Sequence, residues 1–366
     1  MRITFVVPVL EVSGGARIVA GHAQRLAAKG HEVLIVAPAP RRRGLKERAK
    51  ILLNRSPTPS PPARSHVALA GLPFLITGRE GVVEASDVPD ADVIIATWWE
   101  TAEWVWAMPP AKGAKVHFIQ GYDAFLDAPD RVDAVWRLPF SKIAVSQWLV
   151  DLGHDRFGIE KIELVPNSVN HELFKRRPRK KGDPATVGFL FHPAEFKDMP
   201  TTVSAVQQLR KHIPRTKVVS FGVLPPHRGE VPPGTEFHRL PSQEEIASLY
   251  GRCDAWLSTS LKEGFNLPPL EAMATGCPAV CSKTGRPVEI IENGVNGYLV
   301  DQGDVAGFAD ALSKILSLSD DAWRKMSKAA IKAVAHPTWE ESSALFEQAL
   351  TRSAALSSSG ADRVSR

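Results

Sequence analysis

The first 37 residues alternate in a way that few folds accommodate. Ile3–Val9 is a β-rich apolar run, and Ser13-Gly14-Gly15 breaks it. Ala16–Lys29 then sets Val19, Ala23 and Leu26 on one helical face, Gly30 ends the helix, and Glu32–Ala37 is a second apolar run. A strand covered on both faces reads as a continuous apolar stretch, and two of them joined by a helix make a βαβ unit with parallel strands. Strand-like runs recur at Asp92–Ala96, Lys115–Ile119, Lys142–Val145 and Glu163–Val165. The same grammar then restarts: strand Thr186–Phe191, helix Pro200–His212, strand Lys217–Phe221, a helix opened by Ser242 with Glu245 at capping-box spacing, and strand Asp254–Ser258.

The expected class is therefore α/β, with two Rossmann-like, doubly wound parallel-sheet domains. Boundaries are expected at 1–175 and 184–335, with the Pro- and Lys/Arg-rich stretch Phe174–Pro184 as linker. Residues 336–356 read as a helix returning toward the N-terminal domain, and 357–366 as a disordered tail. A chain of 366 residues is long enough for two such cores. In doubly wound sheets ligands bind beyond the carboxyl ends of the strands, so two such edges are expected to face a common cleft.

Composition narrows the setting. Apolar residues make up 44% and charged residues 23%, a globular balance. The N-terminal apolar run is too short for a spanning helix and lacks a cleavage site for a signal peptide, and no later run reaches spanning length. Three cysteines are an odd number, which argues for thiols in a reducing compartment; Cys277 and Cys281 read as core thiols rather than a zinc site. The expected location is the cytoplasm, with a peripheral place at the inner face of the membrane. That second expectation rests on charge. Residues 40–65 look like a long insertion, and Arg41–Arg55 holds seven basic residues against one acid, interleaved with Leu45, Ile51, Leu52 and Leu53. Such a segment suits contact with anionic lipid, or is simply a solvated loop. Lys175–Lys181 holds six more basic residues, so the remainder of this +5 chain is acidic on balance. Two basic loops on an acidic body do not make a nucleic-acid surface, and none is expected.

The segment Glu263-Gly-Phe-Asn-Leu-Pro-Pro-Leu-Glu271 carries the strongest chemical signal. It leaves a strand, passes Glu263 and Gly264, and enters a helix whose first turn tolerates Pro268 and Pro269. A helix start at a strand edge attracts anions, and Glu271 in its early turns lies within reach of ligand hydroxyls. Each glutamate also has a plainer reading, as a dipole-complementing or a solvated side chain. Asp90-Ala-Asp92 has the spelling of a metal motif but stands where a strand begins, the wrong end for ligands, and reads as structural. No metal and no cofactor are expected.

This segment closely resembles the Glu-Gly-Phe-Gly-Leu-Pro-x-Leu-Glu-Ala-Met-Ala-x-Gly signature of family 4 glycosyltransferases, which have the GT-B fold and retain anomeric configuration. Three further stretches are similar to that family: Gly14–Val33, Pro166–Asn170 with Phe174, and Glu289–Val300. The resemblance implies a nucleotide-sugar donor, here as substrate. It implies that Glu271 takes the ribose hydroxyls, that Glu263 with Gly264, Phe265, Asn266 and Leu267 faces the donor sugar and phosphates, and that Gly14 and Gly15 bring amides to the diphosphate. Lys197 matches the lysine that neutralises the leaving diphosphate, and the leaving phosphate itself helps deprotonate the acceptor.

Departures accompany these matches. Where the family usually has an arginine, six residues before that lysine, this chain has Phe191, leaving His192, Arg17 or Arg286 as substitute donors, or a weaker hold on the phosphates. Asn266 stands for a glycine, and Ser168 and Asn170 for the usual Gly and Asp. Phe118-Ile-Gln120-Gly-Tyr122-Asp123 is similar to a Phe-x-Gln-x-Tyr-Glu segment of some rhamnosyltransferase-like members, which points to a deoxysugar donor. Gln120 occupies a slot where many relatives carry a His. The expected catalytic group is Lys197, Glu263 and Gln120. The expected acceptor group is Gln120, Tyr122, Asp123, Trp98 and Trp99, with Trp104 and Trp106 nearby and core packing as the alternative. His117 reads as a core histidine. The acceptor is expected to be a saccharide or a lipid-linked or small-molecule hydroxyl, as in cell-envelope polysaccharide synthesis. A nucleotide-sugar epimerase or hydrolase, and a non-catalytic sugar-binding subunit, are the alternatives.

Overall fold

The computed structural model describes residues 1–10, 13–40, 65–124, 128–175 and 178–364, with side chains through 357. The basic run Arg41–Arg55 and nearly all of the insertion 40–65 lie outside the described residues. The chain divides into two compact units, Met1–Asn167 with Glu340–Arg366, and Ser168–Trp339.

The first unit is built on a parallel sheet of β1 (Arg2–Val6), β2 (Glu32–Ala39), β3 (Phe74–Glu80), β4 (Val93–Ala96), β5 (Ala114–Ile119), β6 (Ser141–Ala144) and β7 (Glu163–Leu164). Its order is β3-β2-β1-β4-β5-β6-β7, so the winding reverses between β1 and β4. The four residues of β4 are fully buried, as their unbroken apolar run requires. The edge strand β3 is mostly exposed and alternates poorly, which is why periodicity gives no sign of it. Helix Gly14–Ala28 follows β1 and starts earlier than expected. Ser13 caps it by accepting from the Ala16 N–H at 3.3 Å, so Gly14 and Gly15 form its first turn rather than a preceding loop. The last helix, Trp339–Val364, belongs to this unit; its backbone stays helical beyond Ser357, where the sequence predicts a disordered tail. Phe346 anchors it, fully buried and stacked on His22 at 4.4 Å.

The second unit carries β8 (Thr186–Leu190), β9 (Lys217–Gly222), β10 (Glu236–Arg239), β11 (Ala255–Ser258), β12 (Ala279–Ser282) and β13 (Gly297–Val300). Its order is β10-β9-β8-β11-β12-β13, all parallel, with the reversal between β8 and β11. Trp256 of β11 fills the space beside Gly188, where an added Cβ would meet the indole ring at 2.6 Å. Phe189, Leu257, Phe308, Leu312 and Trp323 form the core against which helices Met199–His212 and Val305–Leu316 pack.

The stretch expected as a linker is fastened to this unit. Phe174 is buried and meets Tyr250 edge-on at 5.8 Å. Arg179 reaches the buried Asp254 at 2.6 Å, and Lys181 Nζ donates to the carbonyls of Leu316 (2.6 Å) and Leu318 at the end of helix Val305–Leu316. Orphan carbonyls at a helix C-terminus attract cations, so this lysine is held by geometry as well as charge. No helix among the described residues is long and apolar enough to cross a membrane.

Candidate functional site

In the second unit the chain leaves the carboxyl ends of β8 and β11 side by side, at the point where the winding reverses. Open α/β sheets place ligands there, because the two connections depart to opposite faces and leave a crevice. From β8 a short turn, Glu195–Lys197, leads into helix Met199–His212; from β11 residues 260–266 lead into helix Leu267–Ala274. The two connections are laced together. Leu261 N–H donates to the Phe196 carbonyl at 2.7 Å, and Thr259 Oγ1 lies 2.7 Å from Thr202 Oγ1.

At this crossing Lys197 Nζ meets Glu263 Oε1 at 2.5 Å, with side chains only 15% and 11% exposed. Two residues expected to serve the donor thus form an ion pair with each other. The loop after β12 holds Glu263 from behind. Glu263 N–H donates to Thr284 Oγ1 at 3.1 Å, and Arg286 N–H donates to the Phe265 carbonyl at 2.8 Å. Gly285 between them has φ +66, and a Cβ there would lie 2.8 Å from the Phe265 carbonyl oxygen and 3.1 Å from Glu263 Cβ. Only glycine combines that backbone with that approach.

Asn266 adopts the left-handed conformation, φ 67 and ψ 65, as it enters helix Leu267–Ala274. Asparagine is among the few side chains that tolerate it, which explains how it stands for the glycine of the signature. Its amide donates to Ser258 Oγ at 3.1 Å and leaves the helix start without a side-chain cap. Pro268 and Pro269 lack N–H groups, so Leu267 and Leu270 supply the amides of the first turn and the helix dipole supplies the remaining attraction for an anion. Glu271 is 3% exposed and accepts from the Tyr250 hydroxyl at 3.1 Å.

The place of the missing arginine is a core position. Phe191 is buried edge-on to Phe237, at 6.0 Å between ring centres. His192 beside it accepts from the Ala194 N–H through Nδ1 at 3.1 Å, which leaves Nε2–H as a donor. The surrounding protein, and then the Lys197 ammonium, lower its pKa, while Glu263 opposes them. A neutral imidazole therefore stands next to Lys197. Arg286 is engaged by Glu289, and Arg17 lies on helix Gly14–Ala28 of the other unit. Cys277 and Cys281 are buried thiols whose pKa values burial pushes up.

In the first unit Gly14 and Gly15 open the helix after β1, with their N–H groups at its positive end. The Gln120 amide, just past β5, lies against Gly15: a Cβ there would meet Gln120 Oε1 at 3.4 Å. Two motifs 105 residues apart are thereby neighbours. The expected acceptor residues fare unequally. Thr101 accepts from the N–H groups of Thr97 and Trp98 at 2.9 Å each, fixing Trp98 at the start of helix Trp99–Ala107. The Trp99 face is covered by the Arg131 guanidinium at 4.6 Å, and Trp106 packs against Phe140 and Lys115. Trp104 packs against the core of this unit. The Tyr122 hydroxyl donates to Asp133 at 2.6 Å, and burial together with that bond raises its pKa to about 12. Burial pushes the Asp123 carboxyl up to about 7. His117 is buried, and burial and the Lys142 charge lower its pKa to about 3. Asp92 accepts from the Arg2 N–H at 2.7 Å and Asp90 pairs with Lys112 at 2.9 Å, so both aspartates of the Asp-x-Asp spelling bind protein groups.

Sequence reasoning missed Thr284 and Tyr250. The loop Lys283–Arg286 follows the carboxyl end of β12, so the strand-edge rule could have found Thr284; Tyr250 lies on a helix and carries no local signal.

Comparison with known proteins finds two family models in tandem. "Glycosyltransferase Family 4" matches residues 12–173, and "Glycosyl transferases group 1" matches residues 171–333. N-acetyl-alpha-D-glucosaminyl L-malate synthase of Bacillus anthracis is 27% identical over 205 residues, 52% of this chain and 54% of that protein. D-inositol 3-phosphate glycosyltransferase of Corynebacterium urealyticum is 38% identical over 97 residues, 26% of this chain and 23% of that protein. The matched stretch thus spans about half or less of these curated relatives. Among solved structures, sucrose-phosphate synthase from Thermosynechococcus elongatus aligns at TM-score 0.73 and 18% identity, over 96% of this chain and 98% of that one. HepE from Anabaena in complex with UDP and glucose aligns at TM-score 0.73 and 16% identity, over 96% and 99%. At these identities the structures speak for the fold, two Rossmann-like parallel-sheet domains of GT-B type.

Proposed function

Because the chain belongs to the family 4, group 1 glycosyltransferases, we propose that it moves a hexosyl or deoxyhexosyl group from a nucleoside diphosphate sugar to an acceptor hydroxyl, with retention and without a metal. One observation carries this reading: Lys197 and Glu263 arrive from different strands and meet at the point where the second sheet reverses. A cation and a carboxylate so placed match the two demands of the chemistry. The departing diphosphate needs positive charge, and the sugar needs an acceptor for its hydroxyls.

In this reading Lys197 neutralises charge on the leaving phosphate, and His192, neutral with Nε2–H free to donate, takes the part of the arginine absent at Phe191. The start of helix Leu267–Ala274, with the dipole behind it, adds fixed attraction that needs no reorganisation during reaction. Glu263, with Gly264 to Leu267, contacts the sugar and phosphates. Glu271 takes the ribose hydroxyls, and the Tyr250 bond fixes its rotamer beforehand. The amides of Gly14 and Gly15 offer a further anion contact on the first unit. With Trp99 covered and the Tyr122 hydroxyl committed, acceptor contacts fall to Gln120, Asp123 and Trp98. The acceptor is a saccharide, a lipid-linked sugar or a small molecule, met in the cytoplasm or at the inner face of the membrane.

A panel of UDP-, GDP-, ADP- and dTDP-sugars, dTDP-rhamnose included, tests this by release of nucleoside diphosphate with and without acceptor sugars. Release from one donor, accelerated by acceptor, is the expected result. Isomerisation or hydrolysis that ignores acceptors would mark an epimerase or hydrolase, and binding without turnover a sugar-binding subunit.

A further inference from the structure

We propose that the Lys197–Glu263 ion pair discriminates between a nucleotide that bears a sugar and one that does not, weakening the bare diphosphate so that product leaves. This rests on the donor-site reading above.

The two ligands act on the pair differently. In the structure the two groups satisfy each other at 2.5 Å and are largely withdrawn from water. A bare nucleoside diphosphate takes the lysine for its terminal phosphate. Glu263 then loses its cation while a doubly charged group arrives beside it, and a shielded carboxylate left unpaired near like charge is costly. A nucleoside diphosphate sugar takes the same lysine but carries less charge on that phosphate, now esterified to the sugar. Its sugar hydroxyls also donate to the carboxylate, replacing the bond the lysine has given up.

Glu263 cannot escape the penalty by swinging its loop away. Its N–H is held by Thr284, the Phe265 carbonyl is held by the Arg286 N–H, and Gly285 sits against both residues. The backbone that carries the carboxylate is therefore held beside Lys197. The same charge that receives the donor sugar works against product once the sugar has gone. Specificity arises here from a repulsive element as well as an attractive one.

Calorimetric titration of the full chain and its variants, using UDP, GDP, ADP and dTDP each against its hexose conjugate, tests the proposal. In Glu263→Gln the bare diphosphate is expected to bind about tenfold more tightly, a change of about 1.4 kcal/mol, while the conjugate binds no better or worse. Lys197→Met weakens both ligands but is expected to shift the preference the opposite way, toward the conjugate, because Glu263 keeps its charge without its partner. In the double variant the bare diphosphate is expected to bind more tightly than in Lys197→Met, because the unpaired carboxylate is gone. Circular dichroism checks that each variant is folded, and the lysine variant carries the test by itself should the glutamate variant fail to fold. If the wild type binds a donor but both variants change bare and conjugated nucleotide equally, the discriminator is overturned and the donor-site reading stands. If wild type and variants bind no nucleotide of the panel, both are overturned.

Discussion

Arg179 Nη1 lies 2.6 Å from Asp254 Oδ1, and the Asp254 side chain is fully enclosed. The same carboxylate accepts from the N–H groups of Gly182 at 2.9 Å and Thr186 at 2.7 Å. Asp254 thus ties the entry of β8 to the segment before it, and the Arg179 guanidinium also covers the Trp323 ring at 4.6 Å. Removing one partner of a buried pair typically costs about 3–5 kcal/mol, chiefly through the partner groups left unsatisfied. Asp254→Ala should destabilise the second unit by about that much, read as a lower midpoint in urea unfolding at unchanged slope. A cost no larger than a surface substitution's would show that the stretch is a free linker after all.

Two buried histidines set a dependence on acid. His22 and His117 both have folded pKa values lowered from 6.5 to about 3, each mainly by burial. The unfolded chain therefore binds two more protons than the folded chain as pH falls below 6.5, and stability is lost through that window. Asp123 works the other way: its folded pKa of about 7 exceeds the ordinary 3.8, so the folded chain holds a proton there that the unfolded chain lacks. The net difference is near one proton, or roughly 1.4 kcal/mol of stability lost per pH unit between pH 6.5 and 5. Asp123→Asn should steepen that loss toward roughly twice the value. Stability that stays flat across this window in both proteins would contradict the assignment of these three groups.

Thr284 touches no expected ligand, yet it holds the N–H of Glu263 at 3.1 Å. Thr284→Val removes the acceptor while keeping the shape, and Thr284→Ser restores it. The valine variant should lose about tenfold in kcat/KM, on the scale of one hydrogen bond, and the serine variant should recover most of it. A purely structural effect would lower the melting temperature of both variants alike and leave kinetics of the folded fraction unchanged.

Asn266 offers a cleaner backbone test. At φ 67 a glycine is at no disadvantage, whereas alanine pays for the left-handed conformation. Both variants lose the bond to Ser258, so the backbone effect is the difference between them: Asn266→Ala should be about 1–2 kcal/mol less stable than Asn266→Gly in denaturant unfolding. Equal stability of the two would remove the conformational account of this departure from the family signature.

How much of this was legible beforehand depends on where the information lies. The βαβ grammar of β1, β2, β4 and β8 was readable because strands buried on both faces must be continuous apolar runs. The edge strands β3 and β10 were not, because Phe74–Glu80 and Glu236–Arg239 face water and carry mixed side chains. Glu263 and Lys197 were found through the resemblance, but their mutual ion pair was not, since it depends on two connections 66 residues apart crossing at one sheet edge. The fastening of Arg179 and Lys181 was hidden for a similar reason: a basic run reads as solvated until its buried acid, Asp254, is brought beside it. Trp99 was read as ligand-facing because sugars stack on aromatic faces, and Tyr122 through the resemblance; Arg131 and Asp133, which contact them, come from one helix and give no local sign.

The central claim is that this site transfers a sugar with Lys197 bearing on the leaving phosphate. Turnover of wild type and Lys197→Ala, measured with whichever nucleotide sugar the panel selects and at saturating donor, tests it most directly. Loss of one preorganised charge aimed at the developing anion should slow turnover by about 100-fold or more, equivalent to roughly 3–4 kcal/mol at the transition state. Lys197→Ala turning over at the wild-type rate would contradict the account.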